Sequence, residues 1–555
     1  MFQKRSTLLS LCLILTLLFS GCSKEPEVLD YESAIEWLAQ SKPDENGYYA
    51  VSEQLLYALQ NTQYTEAKNI IYMIGDGMGA NIIQATQEKY ANELYGNKLA
   101  INYLEKVGTH STYSASDKTT DSAAGGTALF TGKKTSNYTV GMNSDHTVNY
   151  KNLLELAAEK GKSTGIVVTK SVTDATPAAF TAHVEDRKMQ NEIAKQQLQK
   201  IANGTLDLVL GGGSEYYEYF DNDVAFDEAE KKGMSYSKKW ADTVEDTLPL
   251  VGLYASDALL TSSAATPTLA EMTELALGLL SEEENGFCLL VEGSQIDTSA
   301  HDNDLEKELF EMHQFDSAIA VAMKYVALHP DTVLIVTADH ETGGLYFPEE
   351  GYGNGDSYIY LYDDHSFINV PVYALGYGID ELGGIMENTD IAGFVASLLG
   401  EEDFGQESIV TQLYDDQENG MMKFSFDENN MHAELFTEEL LAKIGAMQNV
   451  RAIHFTVRNM GEKVTLPALK IQATDGTTYD AIPQYAYING EETLDLTYVL
   501  PVELWQNHAF SNVNSIQLTY DVVDAHSWKT TFGYEKEVAE LEIGQIWITE
   551  RVLEQ

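Results

Sequence analysis

Between residues 66 and 402 the chain repeatedly sets a short apolar run between longer stretches of helical periodicity. The runs are 69–74, 165–169, 206–210, 287–291, 332–337 and 370–374, rich in β-branched residues and apolar at successive positions. A strand without in–out alternation is buried on both faces. That is the situation of a central strand in a parallel sheet covered by helices. Segments 152–159, 186–201, 268–280 and 306–328 carry the helical pattern. The predicted fold class is α/β, with a mostly parallel central sheet flanked by helices.

The residues just beyond these runs carry chemistry. Run 69–74 leads into Gly75-Asp76-Gly77-Met78-Gly79, and run 165–169 into Asp174-Ala175-Thr176-Pro177. Run 287–291 leads into Glu292-Gly293-Ser294-Gln295-Ile296-Asp297, and run 332–337 into Ala338-Asp339-His340. Ligands of open α/β sheets bind beyond the carboxyl ends of the strands. Any one of these aspartates could be a helix cap, but four such ends place Asp76, Thr176, Glu292, Asp297, Asp339 and His340 along one edge. Asp297 and His301 are four apart, so on a helix they share a face and can grip one cation or form an ion pair. His365 comes later, in a tyrosine-rich loop containing Tyr346, Tyr352, Tyr358, Tyr360 and Tyr362. Imidazole with carboxylate suits zinc. Hydroxyl with carboxylates, as in Thr176, Glu292 and Asp76, suits magnesium.

Asp121-Ser122-Ala123-Ala124-Gly125-Gly126 reads as a helix start. A serine there meets unpaired N–H groups and the positive end of the dipole, either as an anion site or as an ordinary cap. Arg187, in Ala182-His183-Val184-Glu185-Asp186-Arg187, could grip phosphate with its fork, or sit on a helix surface. His183 reads as structural, and so does Cys288, inside an apolar run.

In collinear order over 66–402, these motifs resemble the alkaline phosphatase family. They are Met73-Ile74-Gly75-Asp76-Gly77-Met78-Gly79, Thr120-Asp121-Ser122-Ala123-Ala124, Asp174-Ala175-Thr176-Pro177, Glu292 to Asp297, and Thr337-Ala338-Asp339-His340-Glu341-Thr342-Gly343-Gly344. His365 with Val370, Val372, Tyr373, Ala374 and Gly376 is similar to that family's last zinc segment. The resemblance implies hydrolysis of phosphate monoesters through a phosphoserine. It implies Ser122 as nucleophile and Arg187 as phosphoryl clamp. It implies two Zn2+ and one Mg2+: one zinc on Asp297, His301 and His365, the other on Asp76, Asp339 and His340, and magnesium on Asp76, Thr176 and Glu292. It also implies a homodimer. Well-known bacterial members carry a lysine after the position of Asp297, near an aspartate at the position of Asp174. Here Thr298 stands in that place, so Asp174 and Thr298 are expected beside the metals with Asp174 lacking a cation. A phosphodiesterase of the same superfamily and a non-catalytic surface-binding lipoprotein are the competing readings.

The other segments read differently. Residues 403–555 show period-two alternation, as at Ile453, Phe455 and Val457, and are expected to form an antiparallel β-sandwich accessory domain. Its Trp505, Trp528 and Trp547 are either core and interdomain contacts or a surface for attaching to a glycan. Residues 1–21 read as a lipoprotein signal peptide: Lys4 and Arg5, an apolar stretch from Leu8 to Phe19, then Ser20-Gly21-Cys22. Cys22 is the expected lipidation site, which places the protein outside the cytoplasm, anchored to the outer face of the cell membrane. Residues 22–65 form a tether and helical lead-in. With Cys12 removed and Cys22 acylated, Cys288 has no partner for a disulfide. The formal charge of −52, from 34 basic and 86 acidic residues, argues against nucleic acid as a partner. It also means that an anionic substrate needs a local positive site.

Overall fold

A strand that is apolar at every position needs a core on each side, and the computed structural model supplies two. It describes residues 30–551 apart from 44–47, 91–94, 220–223, 244–246, 264, 348–357, 406–407, 428–430, 446, 448–449, 462–463, 484–486, 489–490, 502–503, 505–509 and 521–537. The signal peptide, Cys22, Tyr352, Trp505 and Trp528 lie outside the described residues.

Twelve strands build the body and the edge of the site: β1 (Asn69–Gly75), β2 (Glu105–Ser111), β3 (Ser163–Ser171), β4 (Leu208–Gly212), β5 (Ser235–Ser237), β6 (Leu250–Leu253), β7 (Phe287–Gly293), β8 (Thr332–Thr337), β9 (Glu341–Thr342), β10 (His365–Ser366), β11 (Val370–Leu375) and β12 (Gly384–Glu387). Ten of them form one sheet in the order β12-β2-β11-β8-β1-β7-β3-β4-β6-β5. All its pairings are parallel except those of β11 with β2 and β8. The short pair β9–β10 is antiparallel.

The strand β1 shows why the run lacks alternation. Ile71 and Met73 enter a core with Phe287, Leu289, Met312, Phe315 and Leu277, under helices Leu269–Leu280 and Leu305–Leu328. Ile70, Tyr72 and Ile74 enter the opposite core with Phe130, Ile166, Leu198 and Val395. Each such side chain taken from water contributes about 1.5–3 kcal/mol before entropy is set against it. The lead-in helices Tyr31–Gln40 and Glu53–Asn61 bury Ala34, Leu38, Leu55 and Ala58 in the first core, so the helical lead-in is packed onto the body.

Two expected helix starts carry their caps: Asn152 with Glu155 and Thr268 with Glu271 form capping boxes. The helix expected from 186 begins at Gln190 instead. The Asp186 side chain accepts from Lys188 N at 2.8 Å, and that local turn competes with the helix. Arg187 therefore projects from a turn, not from a helix surface.

Beyond 405 the described strands form two larger antiparallel sheets and one short two-stranded pair around a core that contains Phe426, Ile453, Phe455, Leu469, Ile516 and Ile548. Alternation fails around His454. His454 points away from that core yet is 1% exposed, because this face of the sheet lies against the α/β body. His454 Nε2 is 2.7 Å from Thr549 Oγ1, and Thr549 donates to Glu387 Oε1 at 2.9 Å. Glu387 also pairs with Lys134 at 3.0 Å, and Asn369 donates to Thr497 at 2.8 Å. Burial holds the His454 pKa down at about 4, so the ring is neutral in this junction. Trp547 is half-buried. Among the described residues no helix is long and apolar enough to cross a membrane.

Glu387→Ala strands the buried Lys134 charge and removes the acceptor of Thr549. Chemical denaturation should show a loss of about 3–5 kcal/mol, the usual cost of breaking a buried pair from one side. Unchanged stability would mean that this junction does not fasten the sheets to the body.

Candidate active site

The four strands whose ends carry the chemistry are neighbours in the middle of the sheet, in the order β8-β1-β7-β3. Asp339 and His340 follow β8, and Asp76 follows β1. Glu292 lies in β7, opposite Ile74, and Asp297 and His301 lie on the helix Gln295–His301 that follows it. Thr176 lies on the helix Ala175–Thr181 after β3. His365, from the tyrosine-rich loop, is drawn in because β10 pairs with β9 and sets it opposite Thr342. Gly77 makes the convergence possible. At φ +78° a side chain is strained, and a Cβ there would lie 2.8 Å from the Asp297 Cα.

Two groups of ligand atoms result, each within 4.8 Å. In the first, Asp297 Oδ1 lies 3.3 Å from His301 Nε2 and 3.4 Å from His365 Nε2, and the two Nε2 atoms are 3.1 Å apart. In the second, His340 Nε2 lies 3.2 Å from Asp339 Oδ2 and 3.6 Å from Asp76 Oδ1.

The opposite ring nitrogens decide what these atoms offer. His301 Nδ1 is 2.8 Å from the Asp363 carbonyl and His365 Nδ1 is 2.8 Å from the Thr120 carbonyl, so each Nδ1 must donate. The Thr342 hydroxyl donates to Asp297 at 2.6 Å, so at 3.2 Å it accepts from His340 Nδ1–H. All three imidazoles thus present an Nε2 lone pair inward, the tautomer that outer hydrogen bonds impose on metal-binding histidines. Two ring nitrogens at 3.1 Å repel unless a proton or a metal cation lies between them. Tetrahedral ligands at ~2.0 Å from an ion sit ~3.3 Å apart.

The oxygens point the same way. Asp76 Oδ1, Asp339 Oδ2, Glu292 Oε2 and Thr176 Oγ1 are buried and make no hydrogen bond. Burial, then the charges of Asp339 and Asp297, pushes the Asp76 pKa well up. Burial, then Asp297, raises Asp339. Burial, then Asp174, raises Glu292 to about 8. Burial opposes charge on Asp297 as well, but the His365 hydrogen bond and His340 outweigh it and hold its pKa low. Burial drives the His340 pKa well down. Burial also opposes charge on His365, yet the bond to Asp297 wins and raises it to about 9. Orphaned buried oxygens and inward lone pairs are the arrangement that bound cations would satisfy. These residues therefore fit two imidazole–carboxylate ions and one all-oxygen ion.

Ser122 opens the buried helix Ser122–Thr131, and its Oγ lies 3.2 Å from His340 Nε2. Asp121 caps that helix by accepting from Ala124 N at 3.0 Å. The Asp121 carboxylate also takes Arg187 Nη1 at 3.1 Å, and Arg187 Nη2 reaches Asp174 Oδ1 at 3.1 Å. Asp174 does not lack a cation, contrary to expectation. Besides Arg187 it holds Lys170, whose Nζ is 3.0 Å from Oδ2. The role expected to be empty at Thr298, which is half-buried on its helix, is taken from β3 instead. Burial works against charge on Asp174, but Lys170 and then Arg187 hold its pKa below the ordinary carboxylate range.

Three residues of this site escape a reading of the sequence: Lys170, Asp121 as the anchor of Arg187, and Thr342 as the bridge from Asp297 to His340. Lys170 carries a signal, since it is a charge one residue beyond an apolar run, at the end of the sheet where the chemistry lies. Thr342 carries none, because its role depends on two partners brought together only by the fold. His183 is structural as expected, bonding Gly141 O at 2.8 Å and Glu155 at 2.9 Å.

Comparison with known proteins falls on the same region. A model of the alkaline phosphatase family matches residues 67–361. Alkaline phosphatase 4 of Bacillus subtilis is 37% identical over 299 residues, covering 52% of this chain and 64% of that protein, so the chain spans less than two thirds of this relative. Streptomycin-6-phosphate phosphatase of Streptomyces griseus is 31% identical over 409 residues, covering 60% of this chain and 91% of that protein. The solved alkaline phosphatase of the Antarctic bacterium TAB5 is 28% identical with a TM-score of 0.55, covering 61% of this chain and 99% of that one. A mutant of it holds magnesium in its M3 site, at 30% identity and a TM-score of 0.54, with the same two coverages.

The acid cluster generates a prediction for stability. In chelated protein, Glu292 and His365 hold protons up to about 8 and about 9, against ordinary values of 4.5 and 6.5. A folded pKa above the unfolded one gives stability that is present at low pH and lost as pH rises through the folded value. The melting temperature of chelated protein should therefore fall between about pH 5 and about pH 9 more steeply than that of metal-loaded protein. Equal slopes would show that these groups do not sit at cation sites.

Proposed function

The chain belongs to the alkaline phosphatase family, and on that premise we propose that it hydrolyses phosphate monoesters to alcohol and inorganic phosphate through a phosphoserine. The observation that carries this reading is the position of Ser122. Its Oγ sits at a buried helix N-terminus, 3.2 Å from His340 Nε2. Beside it, Arg187 is held by Asp121 and Asp174.

Asp297, His301 and His365 would hold one zinc ion, and Asp76, Asp339 and His340 a second. Asp76, Thr176 and Glu292 offer only oxygens, which suits magnesium; the TAB5 mutant's magnesium in its M3 site is consistent with such a third ion. When bound, such ions supply Lewis acidity that neutralises charge on the attacking and leaving oxygens of an in-line displacement.

The chain's own groups do the rest. Ser122 Oγ attacks phosphorus and the alcohol departs. Water then attacks the phosphoserine and releases phosphate, regenerating the serine. The positive end of the dipole of the helix Ser122–Thr131 favours the anion there. Two of the Arg187 N–H donors are fixed on carboxylates, which orients the guanidinium and leaves its other donors for phosphoryl oxygens. Phosphoryl transfer depends mainly on such positioning and charge stabilisation. The export signal and Cys22 support a location outside the cytoplasm, on a lipid anchor in the membrane.

Ser122→Ala should lower turnover of p-nitrophenyl phosphate at least ~10³-fold while phosphate still binds. Acid quenching of the wild type during turnover, followed by digestion, should find phosphate on Ser122; label on another residue overturns the assignment. The monoester should be hydrolysed faster than bis(p-nitrophenyl) phosphate, and the reverse order would shift the reading to a diesterase. Cys22→Ala should move the protein from the membrane fraction to the soluble fraction, while a soluble wild type would contradict the anchor.

A further inference from the structure

Asp121, Arg187, Asp174 and Lys170 form a chain of alternating charge that starts at the cap of the Ser122 helix and ends on β3. Arg187 takes one oxygen of Asp174 at 3.1 Å and Lys170 takes the other at 3.0 Å. One carboxylate thus holds two cations side by side. Its Oδ1 also accepts from Ala175 N at 2.8 Å, which fixes its orientation. A lysine that only neutralised Asp174 would need no other partner. Lys170 stands near the C-terminal end of β3, two residues beyond Val168, which pairs with Glu292 of β7. It therefore lies at the edge of the sheet where the carboxylates of the site gather. Its side chain remains 23% exposed.

We infer that Lys170 is a phosphate-binding residue: anchored to Asp174 through one N–H, its ammonium presents its other N–H donors to the phosphoryl group that Arg187 grips. This rests on the monoesterase reading of the site. The position gives a protein of formal charge −52 a second fixed cation where a dianion must be held. It also ties affinity to charge state. A monoester or inorganic phosphate carries two negative charges near neutral or alkaline pH and a diester carries one, so the second cation favours the monoester.

The test uses metal-loaded, full-length protein with inorganic phosphate as the probe. Calorimetry should show phosphate bound about tenfold more weakly by Lys170→Met, the loss expected of one charge-assisted contact. Lys170→Arg should stay within about threefold of wild type, since it keeps the charge but not the geometry. The ratio of kcat/KM for p-nitrophenyl phosphate over its bis-ester should fall in Lys170→Met. Metal content and melting temperature should hold. Should Lys170→Met lose its metals or unfold, Lys170→Gln, which can still donate to Asp174, carries the same expectation for phosphate. Wild-type phosphate affinity in folded Lys170→Met or Lys170→Gln overturns the inference alone, provided the wild type hydrolyses the monoester. A wild type that neither hydrolyses the monoester nor binds phosphate overturns the inference and the reading beneath it together.

Discussion

Mutual repulsion among buried like groups is the constraint on which the rest of this structure turns. Asp76, Asp339 and Glu292 are withdrawn from water into one region, and burial together with neighbouring negative charge makes ionisation costly for all three. Nearby, the Nε2 atoms of two imidazoles face each other at 3.1 Å, fixed there by carbonyls behind the rings. A fold tolerates this only where something positive occupies the space between. Lys170 and Arg187 supply part of that charge from the protein itself, and the inward-facing oxygens and nitrogens are placed to bind the remainder as metal ions.

The sheet makes such a concentration of charge tolerable in conformational terms. Strands β8, β1, β7 and β3 are held on both faces by apolar cores, so their ends are rigid where the carboxylates project. Supporting contacts lie one layer out: Thr342 joins Asp297 to His340, and Asp121 joins the serine helix to Arg187. The C-terminal sheets have their own core and pack against that body. Their His454, Thr497 and Thr549 close over Glu387 and Asn369, burying polar groups that a separate appendage would leave in water.

Much of this is legible in the chain, for a definite reason. The central strands are apolar at successive positions, and the strand expected over residues 332–337 matches the observed one end to end. Motif residues follow these strands directly, so the pattern alone places Asp76, Glu292, Asp297, Asp339 and His340 on one edge. Strand β2 is not legible because Glu105, Lys106, Thr109, His110 and Ser111 give no apolar run; antiparallel pairing with β11 holds it in the sheet. Periodicity misplaces the start of the helix at Gln190 because Asp186 bonds nearby backbone, a local contest that it does not register. Asp174 is expected to lack a cation because Thr298 carries no charge, yet Lys170 supplies one, because the ion pair requires only that an ammonium reach the carboxylate, and β3 delivers it as well as the helix after β7 would.

The central claim is that these converging side chains are cation sites built for phosphoryl transfer. Anomalous diffraction at the zinc edge, from crystals of the full-length protein grown with zinc and magnesium, tests it most directly. Two zinc peaks are predicted, one among Asp297, His301 and His365 and one among Asp76, Asp339 and His340, about 3.5–4 Å apart. Ordered density for all six side chains with no anomalous peak between them would contradict the account.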